Sequence, residues 1–224
     1  MSTNTSSRKQ KVVKQVEIEK TITVPGVDQI HGVSWDGRAV WFADGSRGGL
    51  TAVDPETGRE VRRLGGIEAD AGTAFDGKYL WQAAGMEIQK IDPDTGKVVA
   101  VIPAPDEDVS GLAWGEGALW AGGYRGRNIR KLDPKTGKVL KTIASDRLVT
   151  GVTWVDGELW HGTAEGGRTN PESDLRQIDP ESGEVLVELQ LPKGVAVSGV
   201  EADDRGRLWC GDSFHGKLRA VRRR

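Results

Sequence analysis

Glycines at positions 32, 72, 111, 151 and 199 recur 40, 39, 40 and 48 residues apart, and each opens nearly the same phrase. Gly32-Val33-Ser34-Trp35 leads to Trp41, Gly72-Thr73-Ala74-Phe75 to Trp81, and Gly111-Leu112-Ala113-Trp114 to Trp120. Gly151-Val152-Thr153-Trp154 leads to Trp160, and Gly199-Val200-Glu201-Ala202 to Trp209. A period near 40 with four short apolar runs per unit specifies a β-propeller, in which each unit is one blade. The plainest copy is the third, Gly111–Gly137.

Each unit divides alike. Strand A follows the repeat glycine, and Asp36-Gly37, Asp76-Gly77 or Asp156-Gly157 then turns the chain, as hairpins demand. Strand B carries the tryptophan, and a variable loop leads to strand C. Asp54-Pro55-Glu56-Thr57-Gly58 and its equivalents at Asp92, Asp133 and Asp179 make the next turn, where Pro presets φ and Gly takes φ > 0. Strand D ends the blade. Five such units predict an all-β, five-bladed propeller with four antiparallel strands per blade.

The chain ends after the third strand of its last blade. The segment Val12–Val24 alternates apolar and polar residues in its later half and resembles a fourth strand. It is expected to complete the last blade and so close the ring. Residues 1–10 read as a disordered tail and 11–224 as one domain. All eight tryptophans fall on the two repeat positions, so they serve packing between blades rather than a stacking platform.

Net charge is −2, with 31 basic and 33 acidic residues, which gives no reason to expect a nucleic acid or anionic membrane partner. A single cysteine, Cys210, excludes an intrachain disulfide; a reducing, cytoplasmic setting is expected, with a secreted protein that lacks disulfides as the alternative. Residues 1–10 lack the apolar core of a signal peptide. A monomer acting on a small molecule or peptide is expected.

Positions that agree across blades serve the fold, so polar departures mark chemistry. Before the repeat glycine stand His31, Ala71, Ser110, Thr150 and Ser198, of which His31 is the exception. Two residues after it stand Ser34, Ala74, Ala113, Thr153 and Glu201, and here the carboxylate is the exception. After the strand-B tryptophan come Phe42, Gln82, Ala121, His161 and Cys210. His31, His161 and Glu201 are the catalytic candidates: a His as general base, Glu201 as its orienter or a metal ligand. Cys210 reads as a small buried hydrophobe.

The loops opposite the stereotyped hairpins share one face. Asp44, Asp70, Asp108, Tyr124, Arg125, Asp212 and His215 fall there as substrate-binding candidates, with Arg125 a stabiliser of developing negative charge. Asp44 and Asp212 also suit capping of their own loops. The fourth B–C loop is long, 19 positions from Trp160 to Asp179 against 13, 11 and 13 in the first three blades, and suits a lid over the mouth or a plain surface loop. No metal motif of fixed spacing is present, although imidazoles and carboxylates from different blades leave room for a divalent ion in the channel.

The phrase Gly32-Val33-Ser34-Trp35-Asp36-Gly37, then Val40-Trp41-Phe42-Ala43-Asp44 and Val53-Asp54-Pro55 with Thr57-Gly58, resembles the streptogramin lyase family and its gluconolactonase-like and NHL-type relatives. That resemblance implies seven blades and metal-assisted lactone opening, with Asp44 standing where the family's repeats often carry Glu. Five blades and the Asp-Pro-x-Thr-Gly-Lys-Val phrase are more similar to the propeller-type glutaminyl cyclases, which convert N-terminal glutamine to pyroglutamate. Neither family's motifs match closely enough to assign a residue role. Three functions fit these likenesses: elimination, cyclisation or ring opening at the channel mouth, a metal-dependent lactonase, or a non-catalytic propeller that binds a protein or peptide on its top face.

Overall fold

The period predicted from the glycines is realised as a closed ring of five sheets in a computed structural model that describes residues 10–224. The tail expected at the N-terminus lies almost wholly outside the described residues. Two strands precede the first blade, β1 (Val12–Gln15) and β2 (Lys20–Thr23). Blade one is β3 (Ile30–Trp35), β4 (Val40–Asp44), β5 (Leu50–Val53) and β6 (Glu60–Leu64). Blade two is β7 (Thr73–Phe75), β8 (Leu80–Ala84), β9 (Glu87–Ile91) and β10 (Val98–Pro103). Blade three is β11 (Val109–Gly115), β12 (Ala118–Gly123), β13 (Asn128–Leu132) and β14 (Val139–Ala144). Blade four is β15 (Leu148–Val155), β16 (Glu158–Ala164), β17 (Asp174–Ile178) and β18 (Val185–Gln190). Blade five is β19 (Gly199–Ala202), β20 (Arg207–Asp212) and β21 (Lys217–Arg222), completed by β2.

The closure expected of the N-terminal segment is thus divided between two blades. β2 pairs antiparallel with β21, Ile22 opposite Leu218, and buries Ile22 in the core. β1 instead runs parallel to β18 as a fifth strand of blade four, Val12 opposite Val187. All four β1 side chains are exposed, so it adds a backbone ladder with little burial. Val16 and Ile18, between the two strands, pack against the core that blades four and five share. A continuous strand through 12–24 would have to pair with one edge only; the change of direction after Gln15 lets the segment cover two.

The repeat glycines explain the inner ring. A Cβ on Gly32 would lie 2.3 Å from the Ala71 carbonyl oxygen, on Gly72 2.4 Å from the Gly111 carbonyl carbon, and on Gly151 2.3 Å from the Val200 amide nitrogen. On Gly199 it would meet the His31 carbonyl oxygen at 2.3 Å, which closes the circle. Only a residue without a side chain lets the five inner strands come this close.

The strand-B tryptophans seal one blade against the next. Trp81 stacks on Trp114 at 6.2 Å and Trp120 on Trp154 at 5.2 Å, while Trp209 sits among Val33, Val40 and Phe42 of blade one. Four of the five indole N–H groups are capped by acids in the A–B turn or at its exit. Trp41 donates to Asp36 at 2.7 Å, Trp81 to Asp76 at 2.9 Å, Trp160 to Glu158 at 2.8 Å and Trp209 to Asp203 at 3.0 Å. Blade three turns through Glu116 and Gly117, both at positive φ; Glu116 pairs with Lys131 at 2.8 Å instead, and Trp120 Nε1 has no partner. Two kinds of hairpin therefore do one job. Asp36 caps its own turn through the Arg38 and Ala39 amides, whereas Asp156-Gly157 bends with both residues at positive φ. No described helix is long and apolar enough to cross a membrane.

Candidate active site at the mouth of the ring

The five residues that precede the repeat glycines converge. His31, Ala71, Ser110, Thr150 and Ser198 all line one cavity of about 1210 Å³ on the face of the D–A and B–C loops. Ser110 donates to the Val149 carbonyl of the next blade at 2.6 Å, and Ser198 donates to the Ile30 carbonyl. Thr150 is 4% exposed, and its Oγ1 has no hydrogen-bond partner. The His31 ring packs against Gly45, where any Cβ would meet Nε2 at 2.4 Å. Burial pulls its pKa below the ordinary histidine range, although Asp70 and Asp44 oppose this. The imidazole is therefore largely neutral at pH 7 and able to accept a proton.

Asp70, Asp108, Tyr124 and Arg125 stand on the walls. Asp108 accepts the Gly126 amide at 2.6 Å and so fixes the loop that presents Tyr124 and Arg125. The long fourth loop reaches the same space, since Glu165, Gly166, Gly167 and Pro171 line it. It is a small hairpin: the Glu165 amide donates to Glu172 at 2.8 Å and the Glu172 amide returns the bond at 3.0 Å. The Arg168 guanidinium lies 5.7 Å over the ring of Phe214, another lining residue.

Five further sequence candidates lie outside the cavity lining. Asp44 and Asp212 are fully buried loop caps. Asp44 accepts the Ser46 and Arg47 amides at 3.1 and 3.0 Å and the Arg47 Nε at 2.7 Å. Asp212 accepts the Phe214 and His215 amides at 2.9 and 3.1 Å, and Arg219 at 2.7 Å. Burial pushes the Asp212 pKa up, but the bonds from Arg219 and the amides outweigh it and hold the carboxyl low. His215 contacts this cap through Nδ1 at 3.1 Å and is half exposed.

His161 stands on a second strand, whose side chains face neighbouring blades rather than the axis. It is buried, its Nδ1 meets the Gly162 carbonyl at 3.1 Å, and burial lowers its pKa to about 4. Cys210, at the same repeat position, is a buried thiol that burial pushes up to about 12, far from a nucleophile. Glu201 lies on the other side of the glycine ring from the cavity. Its carboxyl accepts from the Thr153 hydroxyl of blade four and from the Ala202 amide at 2.9 Å, and burial raises its pKa to about 8. No cluster of three His, Cys, Asp or Glu able to hold an ion is present among the described residues.

Sequence reasoning passed over Thr150 and Ser198 as small residues, and it did not select Asp106, Glu107, Met86 or Phe214, which also line the cavity. The first pair was visible in the pre-glycine position. The loop residues have no repeat template to depart from.

A five-bladed ring with a cavity at one mouth defines the class of architecture. No protein-family model matches the sequence, and no curated protein is significantly similar to it. Among solved structures, the Myxococcus xanthus glutaminyl cyclase is similar in fold, with a TM-score of 0.77 at 17% identity over 95% of this chain and 98% of that one. A chain of the mitotic checkpoint complex is more distantly similar, with a TM-score of 0.55 at 13% identity over 92% and 94%.

Proposed function

We propose that this chain is a cyclotransferase-like enzyme that acts on a small molecule or peptide in the mouth cavity. The observation that carries the reading is His31: it alone breaks the ring of small floor residues, and it does so inside the cavity, beside Asp70, with its imidazole kept neutral. The similarity in fold to a glutaminyl cyclase supplies the reaction type.

In such a reaction the substrate's own amine attacks the carbon of its side-chain amide. A C–N bond forms, the old C–N bond breaks, and ammonia leaves. His31 takes the proton from the attacking amine and returns it to the departing nitrogen. Asp70 steadies the imidazolium in between, and Arg125 offsets charge on the carbonyl oxygen. His161 and Glu201 have no part in this scheme. Glu201 ties blade four to blade five, and His161 is buried within blade four.

The test is incubation of the purified protein with glutamine and glutaminyl peptides, followed by ammonia release and product mass. Turnover that falls at least about 100-fold in His31→Ala, with unchanged melting, supports the reading, since a positioned acid–base group contributes about 10²–10⁴-fold. A folded wild-type protein without turnover on the whole panel, or a fully active His31→Ala, overturns it.

A further inference from the structure

The charges of the mouth are unbalanced. Five carboxylates line the cavity, from Asp70, Asp106, Glu107, Asp108 and Glu165, against one guanidinium, Arg125. Two of the five are countered from outside, Asp106 by Arg130 at 2.6 Å and Glu165 by Arg127 at 4.0 Å. Asp70, Glu107 and Asp108 make no ion pair with any described cationic side chain. The chain as a whole is nearly neutral, at −2, so the local excess is a property of the site. Asp108 is held in place by the Gly126 amide, which orients it without neutralising it.

The cavity joins two kinds of wall. Carboxylates stand around it, over a floor that includes the buried Thr150, whose hydroxyl lies beside Gly162. Apolar contacts are also offered at the rim, where Met86 is 52% exposed and Tyr124 38%. An ammonium or guanidinium on an alkyl stem matches both parts, because its stem lies along apolar surface while its head meets carboxylates.

We propose that the cavity selects cationic ligands through Glu107 and Asp108, and that the favoured substrates are peptides with Lys or Arg directly behind the reacting N-terminal residue. The peptide part rests on the function proposed above; the preference for positive charge does not. Asp70 stands with His31 near the reacting end, whereas Glu107 and Asp108 occupy the loop between β10 and β11 and meet the second and third residues of the peptide. Arg125 works against the preference and sets its size.

Binding can be read without catalysis. Labelled pentapeptides that begin with alanine, and so have no side-chain amide to cyclise, carry Lys, Ala or Glu at the second and third positions. At low salt the Lys peptide is expected to bind about tenfold more tightly than the Glu peptide. The gap should shrink to about threefold at 0.5 M salt, where exposed charges more than about 4 Å apart are largely screened. Glu107→Gln with Asp108→Asn keeps the Gly126 acceptor and is expected to reduce the gap to about twofold without changing the melting temperature. Arg125→Ala should widen it. Equal affinities, a preference for Glu, no detectable binding of the Lys peptide, or a gap that survives the double substitution each overturns the proposal. If the protein fails to turn over glutaminyl peptides while this preference holds, the reaction is wrong and the ligand class stands. If it turns them over with no charge preference, the reaction stands and the ligand class is wrong.

Discussion

Thr153 donates its hydroxyl to the Glu201 carboxyl and so ties the inner strand of blade four to that of blade five. The same Thr153 oxygen also accepts the Ala202 amide at 3.2 Å. Glu201 is the one carboxylate at a repeat position held elsewhere by Ser34, Ala74, Ala113 and Thr153, and enclosure there favours its neutral form.

The folded pKa of Glu201, about 8, lies above its ordinary value of 4.5. Stability from this site is therefore complete below pH 4.5 and is lost as pH rises through 8, because the unfolded chain releases the proton first. Glu201→Gln keeps the shape and the acceptor but cannot ionise. It is expected to be more stable than the parent at pH 8 by about 2–4 kcal/mol, since each unit of pKa shift is worth about 1.4 kcal/mol before relaxation reduces it. At pH 4 the two should melt alike. Urea denaturation at both pH values checks this, and a variant less stable at pH 8 would count against it.

His161 has the opposite sign. Its folded pKa of about 4 lies below the ordinary 6.5, so the contribution is present above 6.5 and is lost as pH falls through 4. His161→Gln should flatten the loss of stability between these values and leave turnover at neutral pH intact. Loss of turnover at unchanged stability would return His161 to the chemistry.

Gly151→Ala places a methyl group 2.3 Å from the Val200 amide nitrogen of the next blade. Backbone on both sides has nowhere to go. A loss of about 1–3 kcal/mol or more is expected from overpacking, read as a lower urea midpoint. Gly157→Ala is the contrast, since a Cβ there meets nothing within 4 Å and only the positive φ of 76° penalises it.

Removal of residues 1–15 takes away β1, whose side chains are exposed, and is expected to leave the ring folded with a slightly lower melting temperature. Removal of residues 1–23 also takes away β2, uncovers β21 and empties the place of Ile22 in the core. That shorter chain should melt well below the first or aggregate through the open edge. Equal melting of the two truncations would contradict the closure.

How far the sequence could be read varies along each repeat. The fold was legible because blade packing imposes the same demand five times: a glycine where Gly32 meets Ala71, an indole where Trp81 meets Trp114. His31 was legible for the same reason, as a break in that demand. His161 and Glu201 broke the pattern as conspicuously, and neither lines the cavity: His161 is buried in β16, and Glu201 is partly buried on β19. Periodicity marks an exception without saying which way its side chain points, and a second-strand position faces a neighbouring blade. Glu107 and Phe214 were illegible because loops have no template, and the split of Val12–Val24 between two blades hinged on a change of direction that alternation does not encode.

The pairing of β2 with β21 also sets a timetable. Thr21 lies opposite Arg219, so the last blade gains its fourth strand only by joining segments far apart in sequence. Until then β2 has no edge to join, although β1 can already pair with β18, and four blades wait beside an incomplete fifth. Assembly of this ring is governed by its slowest, most distant contact, and during synthesis the edge of β21 and the unpaired β2 are the surfaces most in need of protection.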